Sequence, residues 1–452
     1  MTWLEARLGR QGLVVLAGLA AILVVGLVGW AGLTGGAADR PEAGDPVVEP
    51  VAEEPPGPGA VGGGDESPGP GAAGPGTPEP ELEPELEPEG SVAEAEPAEA
   101  GVVEWASPGE RSPVEPVPAE LRVPKPEAVR GLYIGSWSAG SSRRLASLIQ
   151  LADETEINAF VVDIKEALGE VSHRTRVPLA RQVGADRNPA IADLRGLVAR
   201  LRDHGIYPIA RIVVFKDPLL AQARPEWSIV RADGSIWADN NGVHWVDPFN
   251  RDVWDYNIEL AREAVALGFS EIQWDYVRFP DVPQSYFREA VYPARAGRTM
   301  AEGMREFLIH ARDQLGDLGV PLTADVFGVT TSARQDVGIG QVWELMADVT
   351  DVLLPMVYPS HYPRGTWGFP VPNAEPYLIV KRALGHAVTR SEAMPGSATI
   401  RPWLQAFNLG QPPYGPEEVR AQIQAVYDVG LTEWILWNPS SRYDRDALLP
   451  GS

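Results

Sequence analysis

The chain has 452 residues, a formal net charge of −24 and no cysteine. The acid is concentrated: between Asp39 and Glu120 stand 21 acidic residues against Arg40 and Arg111, a local −19, while everything from Leu121 onward carries about −6. With no basic face to meet phosphates, nucleic acid is excluded as a partner, and without cysteine there is no disulfide framework, thiolate nucleophile or Cys-ligated metal site.

Residues 1–11 form a short N-terminus carrying Arg7 and Arg10, followed by 22 residues, Gly12 to Leu33, without a charged or strongly polar side chain. At 1.5 Å per residue that run crosses a ~30 Å hydrocarbon core. The arginines before it predict a cytoplasmic N-terminus, so that everything after Leu33 is extracytoplasmic. Gly36, Ala37 and Ala38 offer a small-residue cleavage site, which makes a secretory signal peptide the alternative. The run is long for a signal peptide, and the expectation is an uncleaved single-pass anchor in the cell membrane.

Residues 34–124 are dominated by Pro, Glu, Gly and Ala and include the repeat from Pro78 to Glu89. Such a segment buries too little apolar surface to offset the entropy of ordering it, so a disordered stalk is expected, reaching up to roughly 250 Å when extended.

From residue 125 to 452 short β-branched and aromatic runs alternate with amphipathic stretches. The strands predicted are Gly131–Ile134, Ala159–Asp163, Tyr207–Val214, Glu271–Asp275, Leu322–Val326, Val352–Met356, Arg401–Ala406 and Trp434–Trp437, with helices such as Ala190–His204 and Val253–Leu267 between them. Eight such units read as one α/β domain, a (β/α)₈ TIM barrel. Three long connections, Asp217 to Asp252, Asp281 to Thr299 and Pro359 to Ile400, each follow a strand. They therefore fall on the C-terminal face of the barrel, where function is expected.

Side-chain alternation sorts the residues at the strand ends. Gln273 and Asp275 share one face against Ile272 and Trp274, and Thr323 and Asp325 share one against Leu322 and Ala324. Asp163 and Lys165 are expected to leave the second strand together, and Arg211 ends the third. Several ionisable groups thus converge on one barrel mouth, as an acid/base site requires. Hydrolysis of a glycosidic bond needs one ionised and one protonated carboxyl, and Asp275 and Asp325 are the pair predicted. A basic neighbour, Arg211 or Arg278, would keep Asp275 ionised, while the apolar surroundings of Asp325 suit a general acid. Substrate contacts are expected from Asp163, Lys165, Arg211, Tyr276, Arg278, Tyr358, Gln405 and Trp437. For Asp163 the structural alternative is a salt bridge to Lys165.

Aromatic residues support a sugar ligand, because flat indole faces stack on the apolar faces of sugar rings. Trp227, Trp237, Trp245, Tyr362 and Trp367 lie in the long connections, and Trp137, Trp403 and Trp437 at or near strand ends. The competing reading is that half or more of them form small cores beneath the loops. The six histidines show no paired ligand spacing, so no metal is expected. No Walker loop, no Gly-x-Gly-x-x-Gly and no Gly-x-Ser-x-Gly elbow occurs, so no cofactor and no serine-hydrolase chemistry is expected.

At Trp245-Val-Asp-Pro-Phe-Asn250, Phe269 and Trp274-Asp-Tyr-Val-Arg-Phe-Pro280 the chain resembles a bacterial domain-of-unknown-function family described as glycosyl hydrolase. The resemblance runs from about Val129 to Arg442 and takes in Val129-Arg-Gly-Leu-Tyr133, Val161-Val-Asp-Ile-Lys165, Ala324-Asp-Val-Phe-Gly328 and Leu354-Pro-Met-Val-Tyr-Pro-Ser360. It implies a barrel related to α-amylase-like glycosidases, in which an Asp ending the fourth strand commonly does the chemistry; Asp275 holds that place. Chitinase-type barrels instead end this strand with a catalytic Glu, whose position here is Val277, so substrate-assisted chemistry is not expected. The function expected is hydrolysis of an extracellular or cell-wall polysaccharide. The alternatives are a non-catalytic carbohydrate-binding barrel and a surface scaffold whose acidic stalk is its purpose.

Overall fold

The computed structural model describes residues 115–451. The expected membrane span at residues 12–33 and most of the stalk lie outside them, and among the described residues no helix is long and apolar enough to cross a membrane. Residues 115–124, assigned to the stalk by composition, meet the barrel. The Val117 N–H donates to the Ala266 carbonyl at 2.9 Å, and Val123 packs into the lumen.

The strands are β1 (Arg130–Ile134), β2 (Ala159–Lys165), β3 (Tyr207–Val213), β4 (Glu271–Asp275), β5 (Leu322–Phe327), β6 (Val352–Met356), β7 (Thr399–Ile400), β8 (Trp403–Gln405) and β9 (Trp434–Trp437). All pairings between them are parallel; β1 through β6 pair in order, β6 pairs with both β7 and β8, β8 with β9, and β9 with β1, which closes the barrel. The expected seventh strand, Arg401 to Ala406, is therefore two short pieces sharing one position. Pro402 has no N–H for the ladder, so the strand breaks there.

Seven helices cross between successive strand positions: α1 (Ser142–Glu154), α2 (Leu194–Asp203), α3 (Arg251–Leu267), α4 (Met300–Leu315), α5 (Trp343–Ala347), α6 (Pro376–Glu392) and α7 (Pro416–Asp428). After β9 the described chain makes a 3₁₀ turn, Arg445–Ala447, in place of an eighth long helix. The α2 helix begins later than its apolar period suggests, because the Asp193 carboxylate caps it by accepting from Gly196 N–H at 2.8 Å. The α3 helix starts at an Asn250 cap and stops at Gly268, whose φ of 112° suits glycine.

Both faces of the strands are covered. Outside, Phe160, Val162, Ile212, Trp274 and Leu436 pack with Trp254 and Phe307 of the helices. Inside, Val161, Tyr207, Ile209, Leu354, Trp403 and Ile435 fill the lumen. Its floor is ionic: Arg401 donates to Glu271 at 2.6 Å and to Glu433 at 2.8 Å, and Lys125 meets Glu433 at 2.5 Å.

The first two long connections are joined. Val230 and Val291 exchange backbone hydrogen bonds at 3.0 and 2.8 Å, and Ala294 N–H donates to Asp247 at 2.8 Å. The third is shorter than its sequence suggests, since α6 occupies much of Pro359 to Ile400.

Candidate active site

Strand register sets the frame of the mouth. Asp163 pairs with Arg211, Arg211 with Gln273, and Gln273 with Thr323, so these side chains share the lumen face, with Asp275 and Asp325 one pleat further toward the C-terminal end of their strands. Arg211 joins two carboxylates. Its Nε and Nη2 donate to Asp275 Oδ2 at 3.0 and 2.5 Å, and its Nη1 donates to Asp163 Oδ1. The Tyr133 hydroxyl donates to the other oxygen of Asp163 at 2.5 Å. Both Asp163 oxygens are thereby occupied, which suits holding Arg211 better than contacting a ligand. Burial pushes the Asp163 carboxyl up from its usual range, while Arg211 and the Tyr133 hydroxyl pull it down.

Asp275 accepts at its other oxygen from Tyr276 N–H at 2.5 Å. It is 6 % exposed, against 1 % for Asp325. Asp325 lies one strand on. Trp403 Nε1 donates to its Oδ1 at 2.7 Å, and Gln273 Nε2 reaches Oδ1 and Oδ2 at 2.8 and 3.0 Å. Burial first, and then the neighbouring Asp275 charge, push the Asp325 carboxyl well above the usual carboxylate range. The Gln273 Oε1 beside it is buried without a partner.

The aromatic rim follows. Trp437 is partly exposed and stacks on Tyr133 with ring centroids 3.9 Å apart, and the Arg211 guanidinium lies 5.3 Å from the Trp437 ring. Tyr358 is buried against Phe407, and burial together with the nearby Asp325 and Asp275 raises its phenol pKa. Tyr276 has a left-handed φ of 51°, unusual for a bulky residue at a strand end. Arg278 is the other basic residue expected beside Asp275. It does not pair with it, and its guanidinium lies over Tyr276, Phe327 and Trp245 at 4.6, 4.7 and 5.3 Å.

Two expected contacts sit elsewhere. Lys165 does not leave β2 on the same side as Asp163, because the register shifts between them and turns Lys165 toward the helices. There it is 0 % exposed, meeting Asp217 at 2.7 Å and Asn257 of α3 at 2.9 Å. The alternative salt bridge from Asp163 to Lys165 is likewise replaced by Arg211. Gln405 is buried with its amide engaged by the loops: it accepts from Ser360 N–H at 3.0 Å and donates to the Phe407 carbonyl at 3.1 Å. Trp237 and Trp245 are buried beneath the insertions, where their indole N–H groups donate to the Tyr286 carbonyl at 3.1 Å and Asp239 at 3.0 Å. Tyr362 and Trp367 pack on each other at 5.3 Å.

The mouth also holds Gln273 and Trp403, which the sequence places at a strand face and a strand end without a role, and two residues it does not single out, Tyr133 and Glu166. Tyr133 lies on a lumen-facing position and could have been found by extending the alternation to β1. Glu166, partly exposed just past β2, accepts from the Ser136 hydroxyl. Among the described residues no group of three or more His, Asp or Glu side chains is placed to hold a metal ion.

A family model described as "Putative glycosyl hydrolase domain" matches residues 131–443. No curated protein matches the chain. Among solved structures, a hypothetical protein from Ruminiclostridium thermocellum ATCC 27405 is 40 % identical, with 43 % of this chain and 97 % of that one covered and a TM-score of 0.40. The glycoside hydrolase domain of PgaB (BpsB) from Bordetella bronchiseptica is 15 % identical, with 72 % and 100 % covered and a TM-score of 0.50, a likeness of fold alone.

Proposed function

Because the chain belongs to the glycosyl hydrolase domain family matched over residues 131–443, its reaction class is hydrolysis of glycosidic bonds, and we propose that Asp275 and Asp325 are the carboxyl pair that performs it. Asp325 is the general acid and Asp275 the nucleophile or base. The observation that carries this reading is the asymmetry of the two environments. Asp325 is enclosed by Gln273 and Trp403 and pushed toward its neutral form, while Asp275 takes two bonds from a guanidinium. Asp325, held toward its neutral form, can supply the proton, while Asp275 stands beside it in the grip of the guanidinium. Arg211 and Asp163 orient Asp275, and Trp437 offers a stacking face for the sugar. The substrate is an extracellular or cell-wall polysaccharide, reached by a domain held outside the membrane through residues 12–33.

The test is a polysaccharide hydrolysis panel with the full-length chain and its Asp275→Asn variant. Loss of turnover with an unchanged circular dichroism spectrum is expected, and unchanged turnover overturns the assignment. The Arg211 salt bridge favours a second reading, a barrel that binds glycans without cleaving them. Binding without turnover by the wild-type chain would identify it.

A further inference from the structure

The basic residues around the mouth fall into two groups. Arg211 is neutralised by Asp163 and Asp275, and Lys165 is turned away onto Asp217. Lys216, just past β3, and Arg278, just past β4, form no ion pair among the described residues. Both are partly buried, and both lie against the ring of Tyr276, the residue that follows Asp275: the Lys216 Nζ is 5.4 Å and the Arg278 guanidinium 4.6 Å from its centroid. The two cations are thus no more than about 10 Å apart, on the order of one Debye length in about 0.1 M salt. Like charges held so close on a partly dry surface repel unless an anion comes between or beside them.

The surroundings hold these charges without cancelling them. Arg278 rests over Phe327, the last residue of β5, at 4.7 Å, which sets it between the strand ends bearing Asp275 and Asp325. Aromatic faces attract a guanidinium but leave its N–H donors free for a planar anion. One of its donors goes to the Phe279 carbonyl at 3.1 Å. Asp239, the acid beside Trp245, already accepts from the N–H groups of Asn241 and Val243 at 2.9 Å and from Trp245 Nε1 at 3.0 Å. Deeper in the lumen Asp325 is pushed toward its neutral form, which lessens the repulsion an anionic ligand meets.

We propose that the glycan taken by this site carries a negative charge, a uronic-acid carboxylate or a sulfate, on the sugar beside the cleaved bond, and that Arg278 assisted by Lys216 binds that group. This rests on the glycan-directed reading above and narrows its substrate class. A planar carboxylate can accept two parallel N–H bonds from Arg278, geometry that lysine cannot copy.

The test is titration calorimetry of the full-length chain, so that binding is read separately from turnover. The probes are oligogalacturonate, a sulfated oligosaccharide and a neutral oligosaccharide of equal length. An anionic probe is expected to bind at least tenfold more tightly than the neutral one, with the advantage shrinking as sodium chloride is raised. Preference for the uronate over the sulfated probe identifies the carboxylate as the group read, and the reverse identifies sulfate. Arg278→Gln is expected to bring the two affinities within about twofold, Arg278→Lys to keep part of the preference and Lys216→Gln to remove a smaller part. Equal affinity for the neutral probe, no binding of either anionic probe, or a preference that survives Arg278→Gln with Lys216→Gln overturns the proposal. Anion-selective binding without hydrolysis leaves it standing while the hydrolase reading falls; cleavage of neutral glycans without anion preference does the reverse.

Discussion

Replacing Asp325 by asparagine tests the raised carboxyl through stability, independently of any substrate. In the unfolded chain an Asp ionises near pH 3.9, whereas in the barrel burial and the Asp275 charge raise it. Between those two values the folded protein holds one proton more than the unfolded one, so stability falls as pH rises, by about 1.4 kcal/mol per pH unit. A raised pKa thus contributes stability that is fully present below the unfolded value and lost as pH climbs to the folded one. The Asp325→Asn variant has no such proton to lose. Its amide has less acceptor strength toward Trp403 and Gln273, a penalty of about 1–3 kcal/mol that is nearly the same at every pH. The difference in Tm between variant and wild type should therefore rise with pH from about 4 until Asp325 itself ionises, by roughly 2 °C per pH unit, and then level off. Scanning calorimetry of the two full-length proteins from pH 4 to 8 measures this. A difference in Tm that is flat or falling across that range would refute the raised carboxyl and, with it, the general-acid role.

Lys165→Met should destabilise the barrel by about 3–5 kcal/mol, because it leaves Asp217 buried without its counter-charge, while glycan affinity stays within twofold; chemical denaturation and calorimetry check both, and lost affinity at unchanged stability contradicts the outward placement of Lys165. Trp137, on the short helix Ser136–Gly140 that follows β1, is 70 % exposed, a large apolar area left to solvent at the edge of the mouth. Trp137→Ala should leave Tm unchanged and weaken binding of long oligosaccharides roughly two- to tenfold, with short ones unaffected; equal weakening of both removes it as an outer stacking platform.

The barrel was legible because its strands are covered on both faces and read as apolar runs separated by turn residues. Where the reading slipped, local chemistry was responsible. Pro402 divides the seventh strand, a distinction that hydrophobic period alone does not register. Asp193 starts α2 four residues later than its apolar pattern suggested, because an acceptor at the first turn outweighs weak periodicity. Of the insertion aromatics, Trp237 and Trp245 lie beneath the loops as the competing reading anticipated, while Trp437, at the end of the last strand, stands on the rim.

Alternation brought Asp163, Arg211, Asp275 and Asp325 to one mouth because a strand has only two faces, but it assigns a face and not a partner. The bulge after Asp163 shows how little is needed to break the rule: one irregular step sends Lys165 behind the sheet, where Asp217 and Asn257 can receive it. Partner choice then follows from which charges remain. With Lys165 removed from the lumen, Arg211 is the cation left to face Asp163 and Asp275 together, and its three donating nitrogens on two carboxylates draw Asp163 into a supporting place. Arg278, left over from that pairing, settles on aromatic rings. The mouth thus holds one arginine paired with carboxylates and one resting on aromatic rings, a division that bears directly on which sugar charge it can accept.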